Sequence, residues 1–233
     1  LRENVSDEVV EDAVNIRSAG KLLLNLINDI LDMSKFRAGK MHLLISPYQT
    51  GNMLSDLVGM LWIRAKEKNL EFRINVSPDV PAELVGDEVR IKQILINILN
   101  NAIKYTKEGS ISLTVQSEKT DEDTYNIIYT VADTGIGIKK EDMPYLFSAF
   151  KRVDEDTTNH IEGTGLGLSI VKQFLDLMGG KITVNSVYTK GSTFIVEIPQ
   201  KRVNENLIGE FDFEKKHGYS KRSEYKKKFE APE

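Results

Sequence analysis

Apolar or small residues fall at Val9, Ala13, Ile16, Gly20, Leu23, Ile27 and Ile30, in alternating steps of four and three, with no proline between Asp7 and Arg37. This is a heptad seam on a helix of roughly 30 residues, about 45 Å long. Ser6 ahead of Asp7 and Glu8 supplies an N-cap signal, and Gly39 a stop. A helix so long and one-sided needs a partner helix, so the pattern predicts a dimerisation bundle in preference to a helix lying on its own domain.

Beyond Gly39 the period changes. Met41 to Ser46 predicts a short strand, Thr50 to Asn69 an amphipathic helix around the single Trp62, and Leu70 to Val76 an alternating strand before the turn Ser77-Pro78-Asp79-Val80-Pro81. Asp87 caps a helix running to about Tyr105. Ile111 to Gln116 and Tyr125 to Ala132 read as a hairpin joined by the polar loop Ser117 to Asp123. After an irregular stretch from Asp133 to Thr164 come a helix (Leu166 to Met178), a Gly179-Gly180 turn and two strands, Lys181 to Ser186 and Thr193 to Pro199. Strands and helices mix without strict alternation, which predicts an α+β fold: a sheet covered by helices on one face. From Lys201 no period emerges, and the segment reads as a linker or tail.

Composition narrows the chemistry. With 40% hydrophobic and 28% charged residues in 233, the chain has a globular balance, and a net charge of −4 argues against a nucleic-acid partner. The absence of cysteine excludes thiolate nucleophiles, zinc thiolate sites and disulfides. No apolar run approaches the roughly 18 residues of a membrane span, so no direct membrane contact is expected. Starting at Leu1 without a signal-peptide pattern, the sequence is expected to be a piece of a longer chain.

Three segments carry chemistry. On the helix from Asp87, the residues Ile91, Ile94, Leu95, Ile98 and Ala102 form one face, while Asn97, Asn101 and Lys104 line its edge within about 20° to 80° of Gln93. Asparagine is a mediocre helix former, so Asn97-Ile98-Leu99-Asn100-Asn101 implies a use outside the helix, and an amide oxygen suits Mg2+. Asp133-Thr134-Gly135-Ile136-Gly137 ends a strand with an acceptor matched to an adenine amine. Gly163-Thr164-Gly165-Leu166-Gly167-Leu168 opens a helix, an arrangement that offers free N–H groups to phosphate. Taken singly, these segments also fit solvated asparagines, an unliganded turn and a plain loop.

Their order and spacing resemble the ATP-binding domain of two-component sensor histidine kinases, of the GHKL superfamily with the Bergerat fold. Asp87-Glu88-Val89-Arg90 through Asn97-Ile98-Leu99-Asn100-Asn101-Ala102-Ile103-Lys104-Tyr105-Thr106 is similar to the N box, and Asp133 to Gly137 to the G1 box. Phe147-Ser148-Ala149-Phe150 is similar to the F box, Gly163 to Gly167 to the G2 box, and Gly191-Ser192-Thr193-Phe194 to the last glycine motif. The resemblance implies a two-layer α/β sandwich at 40–200, preceded at 1–39 by the second helix of a dimerisation and phosphotransfer hairpin. A linker at 201–233 would lead to a receiver domain.

For the site, the resemblance implies that Asn101 coordinates Mg2+, Asn97 and Lys104 contact the phosphates of ATP, and Tyr105 packs on the adenine. It also implies that Asp133 reads the amine, and that Gly135 and Gly137 shape the pocket. Arg152 would meet the terminal phosphate. Gly163, Thr164, Gly165, Leu166, Gly167 and Leu168 would line the nucleotide, and Thr193 would support Asp133 through water. Asp154 to Glu162 would be a lid. A homodimer, a response regulator or fused receiver domain, and a cytoplasmic location in a protein that can be anchored in the inner membrane follow from the same likeness. The sequence departs from the pattern in lacking the histidine box: His42, His160 and His217 have no helical, acid-flanked setting, which puts the phosphoacceptor upstream. The rival readings are an ATPase machine of the same superfamily and a nucleotide-binding regulatory module without kinase activity.

Overall fold

The structure is a computed structural model that describes residues 7–149 and 165–211. The heptad pattern forms α1 (Asp7–Arg37), which ends as the Lys40 amide donates to the Lys35 carbonyl at 2.9 Å. There follow β1 (Ser46–Gln49), α2 (Thr50–Glu67), β2 (Glu71–Val76), β3 (Glu83–Gly86) and α3 (Glu88–Tyr105). The hairpin β4 (Ser110–Lys119) and β5 (Thr124–Asp133) comes next, then a 3-10 turn at Met143–Tyr145, α4 (Gly167–Met178), β6 (Lys181–Val187) and β7 (Gly191–Arg202).

The seven strands make one mixed sheet in the order β1-β3-β7-β5-β4-β2, with β6 also on β7. Only β2 and β4 run parallel. Alternation sorts the strands into two faces. Leu113, Val131 and Phe194 stand side by side on one face, as do Val115, Tyr129 and Val196, and all six are buried. Against them lie Met53, Leu54 and Leu57 of α2, Ile94, Leu95 and Ile98 of α3, and Ile170, Val171 and Phe174 of α4. The neighbours Ser112, Thr114, Thr130 and Thr193 occupy the other, half-exposed face. The expected α+β architecture, helices on one side of a mixed sheet, is the one observed.

The elements differ from expectation at three places. Residues 41–45 are not a strand: no ladder partner reaches them, and the Leu44 amide donates instead to Asp87 Oδ2 at 2.8 Å. The strand β3 was not expected; its four residues are too few for a period to show. The segment read as a linker continues β7 to Arg202 and then folds back, with Val203 N on Glu83 O (3.0 Å), Ala82 N on Asn206 O (2.8 Å) and Ile208 N on Val80 O (2.8 Å).

Ile98 has no exposed surface and faces the sheet from the middle of α3. Ile98→Ala should destabilise the fold by about 2 to 5 kcal/mol. Urea unfolding should show a lower midpoint with an unchanged slope.

Candidate functional site

α3 is set in place by side chains from other elements. Its N-cap, Asp87, accepts from Arg90 N at 3.1 Å and from Leu44 N at 2.8 Å. At the other end Lys68, just past α2, donates to the Ile103 carbonyl at 2.9 Å and satisfies a helix-terminal acceptor. The apolar face is buried as its spacing requires, which leaves Asn97, Asn101, Lys104 and Tyr105 half-buried along the edge. Lys104 Nζ lies 4.8 Å from the Tyr105 ring centroid. Asn100 belongs to a different surface: its Oδ1 accepts from Arg64 of α2 at 2.9 Å. The Asn101 side chain makes no hydrogen bond among the described residues, so its amide is available to a ligand.

Asp133 ends β5. The register sets it between Ile111 of β4 and Ser192 of β7, on the core face that Val131 and Tyr129 occupy deeper in the sheet. Its Oδ1 accepts from Gly135 N at 2.9 Å. Burial raises the carboxyl above the usual aspartate value, opposed in smaller measure by the backbone N–H groups of Gly135 and Ser192. A side chain at Gly135 would overlap the Tyr105 carbonyl and crowd the Thr106 hydroxyl, so the turn closes directly on the end of α3. Ile136 N donates to that same Tyr105 carbonyl at 3.2 Å. Gly137 has φ 65 and rests against the Val187 carbonyl, a conformation and a gap that only glycine fits.

The register corrects one expectation. Thr193 pairs with Ala132 and is on the opposite sheet face from Asp133, so it is not placed to support that carboxylate. Ser192 is the residue opposite Asp133; it is buried, and its hydroxyl is 3.0 Å from that of Ser186. Counting by twos from Phe194, a core-facing residue, would have selected Ser192.

The third part is the start of α4. Leu166 is buried, Gly165, Gly167 and Leu168 are half-buried, and the N-cap residue Leu166 makes no side-chain capping hydrogen bond. Asn97 Nδ2 donates to Gly167 O at 3.4 Å, which joins the α3 edge to this terminus. Two of the parts thus close on α3: the Asp133 turn meets the Tyr105 carbonyl through Gly135 and Ile136, and the start of α4 meets Asn97 at Gly167. Arg152, Gly163, Thr164, the lid at 154–162, His160 and His217 lie outside the described residues. His42 is exposed in the segment between α1 and β1.

Residues 86–202 match the family described as histidine kinase-, DNA gyrase B- and HSP90-like ATPases. The chain is 41% identical over 201 residues to hybrid signal transduction histidine kinase B of Dictyostelium discoideum, covering 85% of this chain and 10% of that protein. It is 40% identical over 183 residues to the sensor histidine kinase GacS of Pseudomonas protegens, covering 78% of this chain and 20% of that protein. The fold is similar to the crystal structure of full-length ShkA in complex with AMPPNP, with a TM-score of 0.70 and 31% identity over 86% of this chain and 40% of that one. The chain thus spans a tenth to a fifth of the length of these two curated relatives.

Because burial raises the folded Asp133 carboxyl, the folded protein keeps its proton over a pH window in which the unfolded chain has released it. The stability this contributes is present below the unfolded value and is lost as pH rises through the folded one. Asp133→Asn, neutral throughout, should exceed the unmodified protein in urea midpoint at pH 7, with the gap closing as pH falls through the raised carboxyl toward the usual aspartate value of 3.8 and flat below it. A pH-independent gap would refute the raised carboxyl.

Proposed function

The chain belongs to the histidine kinase-, DNA gyrase B- and HSP90-like ATPase family, and we propose that it is the ATP-binding catalytic portion of a hybrid-type sensor histidine kinase. The observation that carries this reading is that the Asp133 turn and the start of α4 both close on α3, Gly135 and Ile136 at the Tyr105 carbonyl and Gly167 at Asn97, which makes them walls of one proposed nucleotide cleft. In it, Asp133 accepts from the exocyclic amine of adenine, a position where guanine presents an oxygen and is repelled. Ser192, opposite Asp133 in the sheet register, lies on the same face and lowers the carboxyl slightly through its backbone N–H. Tyr105 flanks the base. Asn97, Lys104 and the N–H groups from Gly165 to Leu168 take the phosphates; Arg152, Gly163 and Thr164, outside the described residues, are assigned to the nucleotide by the sequence resemblance alone.

Among the described residues no three His, Cys, Asp or Glu side chains gather as a metal site. The unpartnered amide of Asn101 nevertheless fits Mg2+, which takes few protein ligands when phosphate oxygens and waters supply the rest. Mg2+ bound there supplies neutralisation of phosphate charge. The protein's own part is to orient the nucleotide and to hold cationic and N–H donors on its phosphates, which is most of what phosphoryl transfer requires. The acceptor in this reading is a histidine on a helix upstream of α1, with the phosphoryl group passed on to an aspartate of a receiver domain or response regulator.

The α1 seam supports a homodimer. Val9, Ile16, Leu23, Ile27 and Ile30 are exposed along one helix, and such a stripe is an interaction surface. No described helix is long and apolar enough to cross a membrane, which suits a cytoplasmic segment of a protein anchored elsewhere.

Asp133→Ala should weaken ATP about 5- to 150-fold, the range for an unpaired buried donor, and erase the preference for ATP over GTP. Calorimetric titration of the folded variant with unchanged ATP affinity would refute the assignment. Leu23→Lys combined with Ile27→Lys should give a monomer that still binds ATP, whereas the unmodified chain should sediment as a dimer at tens of micromolar.

A further inference from the structure

The proposed reaction leaves one buried charge cluster without a role. Asp32, in the last turns of α1, is 8% exposed. Arg90 of α3 donates to its Oδ2 at 3.2 Å and to Gln93 Oε1 at 2.7 Å, and Gln93 Nε2 donates to the same Asp32 oxygen at 3.3 Å. The Arg90 guanidinium also lies 4.8 Å from the centroid of Phe174 on α4, whose ring meets Phe36 of α1 edge-on at 5.1 Å. Gln173 Nε2 points to Met33 Sδ at 3.2 Å. Arg90 therefore touches three helices at once: α1 by charge, α3 by its own backbone and α4 by stacking.

The spacing relates this cluster to the cleft. α3 and α4 meet at two rungs, Asn97 on Gly167 and Arg90 against Phe174. On each helix the two rungs are seven residues apart, about 10 Å along the axis. The first rung borders the phosphate end of the cleft, and the second is closed by α1. Because packed helices move as stiff bodies, the separation set at one rung is felt at the other.

We infer that Arg90, clasped by Asp32, is a positioning residue for the nucleotide cleft: docking of the α1 end holds α3 and α4 at the spacing the phosphates need. This rests on the ATP-binding reading above. By reciprocity, nucleotide in the cleft strengthens the docking of α1 by the same factor that docking strengthens nucleotide binding.

Two measurements on the whole chain test it. The first is calorimetric titration with ATP and Mg2+ of the unmodified protein, Asp32→Ala, Arg90→Ala and the double variant. Each single substitution should weaken ATP at least about 5-fold, and the double no further than the weaker single. Asp32→Ala removes nothing from the catalytic layer, so it reports on the clasp even where Arg90→Ala fails to fold. The second is the distance between spin labels on cysteines replacing Lys35 of α1 and Glu118 of β4, both exposed, in a chain that has no other cysteine. That distribution should narrow when ATP is added to the unmodified protein and stay broad in Asp32→Ala. Unchanged or tighter ATP binding by Asp32→Ala, additive losses in the double variant, or labels indifferent to ATP would overturn the clasp. Failure of the unmodified protein to bind ATP would instead overturn the functional reading itself.

Discussion

The site depends on one carboxylate held at the rim of the core face. The alternation that buries Ile127, Tyr129 and Val131 of β5 carries Asp133 onto the same side of the sheet, where hydrophobic side chains would otherwise continue. Ionised there, it loses part of its hydration and recovers less from two backbone N–H groups. In the proposed function that cost is offset when the adenine amine donates to it. Its neighbours are shaped by the same demand for room: a side chain at Gly191 would overlap the Asp133 carbonyl, and one at Gly135 the end of α3. Two glycine motifs more than fifty residues apart are therefore two walls of a single contact.

α3 serves the core and the cleft together. Its apolar stripe supplies Ile91, Ile94, Leu95, Ile98 and Ala102 to the interior, and the adjacent stripe carries Arg90, Gln93, Asn97, Asn101 and Lys104, the residues of the proposed cleft and clasp. Such a helix cannot roll to suit a ligand without exposing its core face. Both ends are also pinned from elsewhere, Asp87 by the Leu44 amide and the Ile103 carbonyl by Lys68. Precision at Asn97 and Asn101 is thus a consequence of packing energy spent far from either residue.

How much was legible in the sequence follows the range of the interactions. The limits of α3, the Asp87 cap, the hairpin and the long α1 were readable because caps and periods are local. The place of Asp133 at the end of β5 and the polar edge of α3 were readable for the same reason. β3 and the fold-back of 203–211 were not, since four residues and a string of single hydrogen bonds leave no period. The choice of Ser192 over Thr193 turned on which sheet face each occupies, a parity that requires the register with β5. Asn100 looked identical to its neighbours until Arg64 of α2 claimed it. The Asp32–Arg90 pair, 58 positions apart, had no sequence signal at all.

The chemistry of that pair bears on why α1 is joined to the catalytic layer by charge instead of by more leucine. A buried ion pair contributes little net stability, because desolvation consumes most of its Coulomb energy, yet it is lost as a unit once its geometry fails. An apolar contact of the same area would grip more strongly and would tolerate sliding. Along most of its length α1 presents exposed Leu23, Ile27 and Ile30, a seam suited to permanent association, and only its last turns carry Asp32, Met33 and Phe36 to the layer. One helix thus bears a tolerant apolar surface at one end and a geometry-sensitive clasp at the other. A small rotation or shift of the helix leaves the first intact and breaks the second, which makes the orientation of α1 a quantity the cleft can sense.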